Sequence, residues 1–222
     1  MKKLFYLVAI CLLFVQCCNR STKEAGHVYI DLGLSVKWAT CNIGAESPEE
    51  YGDYFAWGET ITKESYDWNT YKYCVAKDQL IKYCSDSTYG KDDFIDDKTV
   101  LDSDDDVAIV NWGGVWRMPT YDEMEELKTK CTWTWTVQNG VNGYLVTSDV
   151  EGYTDKSIFL PTAGYMYGDT LFNAGVCGYY WSSSLDIDAP CYACGVNFKL
   201  DYVHWGGGGW RGSARSVRPV CE

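Results

Sequence analysis

The part of the sequence that most restricts the fold is the region after residue 131, which contains only short apolar segments. These are YLVTS, SIFLPTAGYMY, GYYWSSS, GVNFKLDYV and SVRPVC, and Gly, Asn-Gly and Asp turns separate them. Such turns connect β-strands, and 21 Gly with only 5 Pro suit many tight turns better than a helical bundle. Aromatic residues make up 16% of the chain, which provides ample surface for a buried core. We therefore predict a β-rich second half.

One segment, residues 119–131 (PTYDEMEELKTKC), has the pattern of an amphipathic helix. Thr120 stands at the N-cap with a glutamate three residues later, which is the capping-box pattern. Met124, Leu127 and Cys131 recur at helical spacing and form one apolar stripe. We expect this helix to pack on a sheet.

The first half of the chain is less regular. Residues 27–44 (HVYIDLGLSVKWATCNIG) alternate apolar positions on both sides of Gly33, which predicts a β-hairpin. Residues 61–106 are rich in Tyr, Lys and Asp and are predicted to be the least globular part. Because no internal linker interrupts the chain, we expect a single α+β domain over residues 27–222.

Residues 1–17 are predicted to be a lipoprotein signal peptide. A basic start precedes an apolar stretch over residues 4–15, which is too short to span a bilayer as a mature helix. The stretch ends at a pair of cysteines similar to a bacterial lipobox, and we favour Cys18 over Cys17 as the lipidated residue. The alternative is a secretory signal without a lipid. Residues 18–26 are small and polar and are expected to form a tether.

The charge of the chain limits its partners. Asp and Glu number 31 against 19 Lys and Arg, and the formal net charge is −12. Nucleic-acid binding needs cations that neutralise phosphates, so a nucleic-acid partner is not expected. We expect the chain in the bacterial envelope, at the outer membrane, surface-exposed or periplasmic, and held to the membrane through its lipid anchor only.

Eight cysteines follow the predicted anchor, an even number that fits an oxidised, exported domain. Sequence alone leaves the pairing open, and free thiols are an alternative. Two close pairs, Cys74 with Cys84 and Cys191 with Cys194, could each close a small loop. The Cys191–Cys194 motif lies between strands rather than at a helix N-terminus, so a disulfide is favoured over a redox or zinc site.

Five segments together resemble a known family: DLGLSVKWATCNIGAESPEEYGDYFAWGET, NWGGVWRMPTYDEMEEL, SIFLPTAGY, GYYWSSS and SVRPVC. They are similar, in this order, to the Fibrobacter succinogenes major paralogous domain of exported and surface lipoproteins. WRMPTYDEMEEL also resembles a helix start in formylglycine-generating-enzyme-like domains, which share a C-type-lectin-like fold. The resemblance therefore implies that fold: an α+β domain with a twisted antiparallel sheet, one or two short helices and long loops.

The same resemblance implies further features. The chain ends should pair, so that SVRPVC forms a strand near VYIDL, and the long late loops should form a ligand face. Cys41, Cys131 and Cys221 lie inside the matching segments and are expected to be buried, with at least one pair among them bridged. The copper-binding motif of the formylglycine-generating enzymes is not matched around Cys191 and Cys194, so their activity is not implied.

No constellation of residues predicts catalysis or a cofactor. His27 and His204 are the two possible bases, and neither lies near a nucleophile in a recognisable motif. The acidic run near residue 105 offers carboxylates that a structural Ca²⁺ could use, but it matches no calcium-loop spacing. We therefore predict a protein that is not an enzyme, without a cofactor, and only a weak calcium candidate. Its residues are Asp102, Asp104, Asp105 and Asp106.

The candidate ligand site lies in residues 185–215. Tyr, Trp and Arg dominate recognition hot spots, and aromatic faces stack on sugar rings. The placement also resembles the variable region of proteins diversified by retroelements. We predict a binding module for a glycan or a protein; the alternatives are a structural component of the envelope or of a surface appendage and, less favoured, an enzyme. The predicted contact residues, adjoining the run Gly206–Gly209, are Tyr192, Tyr202, His204, Trp205, Trp210 and Arg211.

Overall fold

The computed structural model describes residues 22–206 and 208–222. The predicted signal peptide, the candidate anchors Cys17 and Cys18 and the first part of the tether therefore lie outside the described residues. Within the described ranges, no helix is both long and apolar enough to cross a membrane.

Antiparallel β-sheet dominates the described structure. The strands are β1 (Thr22–Glu24), β2 (His27–Ile30), β3 (Lys37–Ala39), β4 (Phe55–Ala56), β5 (Cys131–Gln138), β6 (Val141–Ser148), β7 (Ser157–Pro161), β8 (Tyr165–Tyr167), β9 (Thr170–Phe172), β10 (Cys177–Leu185), β11 (Tyr192–Lys199), β12 (Tyr202–Trp205), β13 (Gly209–Trp210), β14 (Ala214–Arg215) and β15 (Val220–Cys221). The helices are α1 (Val107–Trp112) and α2 (Tyr121–Thr129), and short 3-10 turns cover Ser87–Tyr89, Lys91–Asp93 and Ser103–Asp105.

The strands form four small sheets. Their orders are β1-β2-β3-β15, β5-β6-β7, β4-β14-β8-β9 and β10-β11-β12, with β13 also paired to β11. All pairings between these strands are antiparallel. The expectation of an α+β fold with antiparallel sheets and one or two short helices is confirmed at this level.

The two ends of the domain meet in the first sheet. Val220 of β15 is paired with Trp38 of β3, and Trp38 is also paired with Ile30 of β2. The predicted hairpin around Gly33 and the predicted strand in SVRPVC are therefore both present. Gly33 has a φ of +71°, and a Cβ there would overlap the ring of Tyr153, so the hairpin turn needs glycine.

Helix α2 confirms the amphipathic segment as far as Thr129, but Cys131, the third predicted member of the stripe, already belongs to β5. The Thr120 side chain and Glu123 form the predicted capping box, while Met124 and Leu127 are buried in the core. Arg117 supports the same turn, because its Nη1 and Nη2 donate to the two carboxylate oxygens of Glu123 at 2.8 and 2.6 Å. This bidentate geometry fixes the start of the helix.

Residues 61–106 are not the least globular part, and that prediction was wrong. Tyr71, Tyr73 and Tyr83 are buried in the core together with Leu80. Their rings contact one another edge-to-face, with centroids 5.7 Å apart for each adjacent pair. A tyrosine can be buried when its hydroxyl has a partner, and the polar composition of this segment concealed a core of that kind.

The partner of two of those hydroxyls is Asp105, which is buried. Its carboxylate accepts from Tyr73, from Tyr83 Oη at 2.6 Å and from Lys82 Nζ at 2.5 Å. Burial alone would raise the pKa of Asp105, but the hydrogen bonds from Lys82 and the two tyrosines outweigh it and lower the pKa to about 2.

We predict that Asp105→Asn lowers the free energy of unfolding by about 2 kcal/mol at pH 7, since one pKa unit corresponds to about 1.4 kcal/mol. The depressed pKa of Asp105 stabilises the fold above about pH 4, and this contribution is lost as the pH falls towards 2. Urea unfolding of wild type and variant should therefore converge over that window. The exposed neighbour change Asp104→Asn is the control, and a difference that stays constant with pH would contradict the assignment.

Candidate ligand-binding site

The predicted contact residues whose side chains the structure describes do not form one surface. Tyr202 and His204 lie on β12, two positions apart, and their exposed side chains stack on each other with centroids 5.9 Å apart. Tyr192 and Trp210 lie together at the β11–β13 pairing, where Trp210 Nε1 donates to Tyr192 Oη at 2.9 Å. The side chain of Trp205 lies outside the described part of the structure.

Arg211 is not a surface residue, and its prediction as a ligand contact was wrong. The side chain has no exposed area, and all three guanidinium nitrogens donate to protein acceptors. Nε donates to Tyr71 Oη, while the two terminal nitrogens donate to the carbonyls of Tyr83, Pro190 and Lys82, all at 2.8–3.0 Å. Arg211 therefore holds the core together.

The glycine run is also more constrained than predicted. A Cβ at Gly208 would overlap the carbonyl oxygen of Ala193, and a Cβ at Gly209 would overlap the guanidinium of Arg215. Gly206 has a φ of +80°, and Gly207 lies outside the described residues. At least two of the four glycines are thus required because other groups approach the backbone closely.

An aromatic cavity of about 370 Å³ lies beside Tyr192 and Trp210. Strands of two sheets contribute to its walls, β8, β9 and β14 from one and β10, β11 and β13 from the other. This volume falls within the range of about 300–1,000 Å³ that is typical of small-molecule sites. The lining residues are Tyr165, Tyr167, Phe172, Tyr179, Tyr192, Gly209, Trp210, Ser213 and Arg215.

The aromatic walls are held by contacts between rings. Tyr165 stacks on Phe172 with centroids 5.5 Å apart and meets Tyr179 edge-to-face at 5.0 Å. Tyr167 lies 5.8 Å from the ring of Trp210, across the boundary between the two sheets. Ring pairs of this kind contribute beyond their buried area, so the walls are largely preformed.

Arg215 is the one charged residue that lines the cavity. It is 6% exposed, and its guanidinium carbon lies 4.2 Å from the ring centroid of Trp181 and 5.3 Å from that of Tyr179. Two of its nitrogens, Nε and Nη1, are buried without a hydrogen-bond partner. Within the described residues, no Asp or Glu forms an ion pair with it.

The burial of the Arg215 guanidinium with two unpartnered nitrogens lowers the stability of the folded protein. Burial lowers the pKa of Arg215 to about 10, so the side chain is still charged at neutral pH. A buried cation normally has an anionic partner or a full set of acceptors, and Arg211 shows the second solution only four residues earlier. Arg215 is thus a buried cation with two unpartnered nitrogens beside a cavity of ligand size.

Sequence reasoning missed most of the cavity. In the segment YMY, Tyr165 and Tyr167 are two residues apart, which places both side chains on one face of a strand. This spacing was the sequence signal for these two wall residues. The pairing of that strand with β14, which brings Arg215 to the same place, joins segments about 50 residues apart. No local pattern predicts such a juxtaposition.

All eight cysteines of the described residues are free thiols in this structure. Cys131 and Cys221 are buried as predicted, but Cys41 is only half-buried, and the expected bridge among the three is not present. Cys131 packs in the cluster under α2, whereas Cys221 packs against Ala39 and Trp116 in another cluster. The two thiols are thus held in different parts of the core.

The two close cysteine pairs are also unbridged. Cys74 Sγ donates to the carbonyl of Trp68, and Cys84 Sγ donates to that of Asp86. Cys191 is buried in the core, whereas Cys194 Sγ donates to the carbonyl of Leu185. Cys191 lies in the turn before β11 and Cys194 lies within that strand, so the two thiols of this pair have different surroundings.

The acidic run uses its oxygens within the protein. Asp102 accepts from Lys82 and Lys98 at 2.6 Å, and Asp106 accepts from three backbone N–H groups at the start of α1 and at Met118. Asp105 is bound as described above, and Asp104 is exposed. A Ca²⁺ ion would have to displace these donors, and among the described residues no three His, Cys, Asp or Glu are grouped to hold a metal.

We found no family model that matches this chain, and no curated protein or solved structure that is similar to it. The family resemblance set out above therefore stays a prediction.

We predict that Arg211→Met lowers the free energy of unfolding by about 3 kcal/mol or more, because two buried carbonyls, one part-buried carbonyl and a buried hydroxyl lose their donor. Chemical denaturation measures the effect. The exposed change Lys199→Met is the control and should stay within about 0.5 kcal/mol of wild type. If Arg211→Met is as stable as wild type but no longer binds a ligand that wild type binds, Arg211 is a ligand contact and its structural role is contradicted.

Proposed function

We propose that this chain is a binding module and that the aromatic cavity binds a saccharide. The observation that carries the proposal is the cavity itself, whose walls consist of six aromatic side chains from five strands. Sugar rings present C–H groups that pack on aromatic faces, and their hydroxyls bond to polar tips such as those of tyrosine. Three of the six rings are open to solvent at the rim: Tyr167, Phe172 and Trp210 are 38–40% exposed.

Binding without turnover fits the placement of the histidines. His27 stacks on Trp112 at 3.7 Å, His204 lies beside Tyr202, and neither lines the cavity. A general base must lie within hydrogen-bond reach of the group that it activates. The cavity is therefore proposed as a recognition site.

We also propose that the module has a C-type-lectin-like fold. The pairing of β15 with β3 supports it, because in that fold the chain ends pair as strands. The late segment that supplies Tyr192, Trp210 and Arg215 occupies the part of the chain expected to form the ligand face.

The basic and apolar start of the sequence, followed by Cys17 and Cys18, supports export and a lipid anchor. We propose that the module acts in the bacterial envelope, tethered to the outer membrane and facing either the periplasm or the outside.

The proposal predicts that Trp210→Ala and Tyr167→Ala each weaken saccharide binding at least about 10-fold, because each removes a hot-spot aromatic at the rim. The full chain, purified in mild detergent, would be screened on a glycan array, and its hits measured by titration calorimetry. Tyr202→Ala is a matched control, since Tyr202 is an aromatic residue that is 47% exposed, somewhat more than Tyr167 and Trp210, but lies outside the cavity.

An equal loss of saccharide affinity in Tyr202→Ala would assign the binding site to β12 instead of the cavity. Binding of an envelope protein without any glycan would favour a protein ligand, and no binding at all would favour a structural role. Thermal melting of every variant shows whether a loss of binding reflects a loss of folding.

A further inference from the structure

Three arginines are buried in the last strand-forming segment, and they differ in what surrounds them. Arg211 has acceptors for all three nitrogens, as described above. Arg218 donates to Asn42 Oδ1 and the carbonyl of Ala39, and its Nη2 has no partner. The space beside Arg218 is only about 10 Å³, too small for a ligand and barely enough for one water.

Arg215 differs because its unpartnered nitrogens accompany a cavity of ligand size. Two of its three nitrogens lack partners, and the side chain lines the aromatic cavity of about 370 Å³. Both nitrogens are shielded from solvent. To reach a ligand, the Arg215 side chain would therefore turn towards the cavity. Such a turn breaks no hydrogen bond at either nitrogen.

The guanidinium sets the chemistry of the group that it would meet. Arginine presents its donors in a planar fork that matches an oxyanion with two oxygens in one plane. A carboxylate carries one negative charge, equal to the one buried positive charge. A phosphate monoester carries about −1.5 to −2 at pH 7, which would leave uncompensated charge among aromatic rings.

The rest of the chain disfavours a polyanion. Its formal net charge is −12, and the repulsion of a highly charged ligand extends over about one Debye length, roughly 8 Å at physiological salt. A single carboxylate next to Arg215 suffers little from this repulsion, because the guanidinium is the nearest charge. The site thus suits a ligand with one acidic group on an otherwise neutral ring.

We propose that the cavity binds an acidic saccharide and that Arg215 recognises its carboxylate group. This inference rests on the proposed function and names the ligand class: sugars of the hexuronic acid type. The aromatic rings would pack on the sugar ring, while the carboxylate would fill the acceptor positions that Nε and Nη1 now lack.

The test compares two ligands that differ only in the acidic group. The probes are a hexuronic acid trisaccharide and its carboxyl-reduced, neutral counterpart, titrated against the full chain in mild detergent. We expect the acidic trisaccharide to bind about 10- to 100-fold more tightly, the range for a buried hydrogen bond to a charged group. It should also raise the melting temperature of the wild type in a concentration-dependent manner.

Arg215→Met should remove this preference while weak binding of the neutral trisaccharide remains. Without ligand, the urea midpoint of the variant should equal or exceed that of wild type, because the change removes a buried, unpartnered cation. Lys199→Met removes one positive charge outside the cavity and should leave the preference unchanged. If the arginine variant does not fold, the comparison of the two trisaccharides on wild type still decides whether the site prefers the carboxylate.

The outcomes separate the two proposals. Equal binding of both trisaccharides, lost in Trp210→Ala, would overturn the carboxylate assignment and keep the saccharide site. Tighter binding of a sulfated trisaccharide than of the hexuronic one would also overturn it. A preference that survives in Arg215→Met would assign the recognition to another residue. Binding of no saccharide at all would overturn the proposed function itself.

Discussion

The guanidinium of Arg211 is the interaction on which the arrangement of this molecule depends. It joins the last segment of the chain to the loop at Lys82 and Tyr83 and to the carbonyl of Pro190 before β11. Its carbon also lies 4.9 Å from the ring centroid of Trp57. Because Trp210 precedes it directly, burial of Arg211 fixes where the rim of the aromatic cavity lies.

Arg211 and Arg215 show how the same residue type serves two purposes four positions apart. Arg211 has its donors saturated by protein, and removing it should expose buried acceptors. Arg215 is stacked between aromatic rings with two unsatisfied nitrogens, and removing it should cost the fold little. This difference between the two arginines is the basis for proposing that Arg215 meets a ligand in the cavity.

The tyrosine-rich region over residues 61–106 supplies three of the acceptors for the Arg211 guanidinium. Tyr73 and Tyr83 share the carboxylate of Asp105, and the carbonyl of Tyr83 accepts from Arg211. The acidic run is thereby linked to the core through tyrosine hydroxyls and backbone. A segment with the composition of a solvated loop thus contributes a polar core.

The sequence by itself determined the local structure. The capping box at Thr120, the helical stripe of Met124 and Leu127 and the hairpin at Gly33 depend on neighbours within a few residues, and these features formed as predicted. Only the tertiary structure decided which side chains are buried and which meet. Trp210 and Arg211 are adjacent and of the types that recognise ligands, yet one lies at a cavity rim and the other in the core. That difference comes from acceptors and rings 18 or more residues away, which no local pattern encodes.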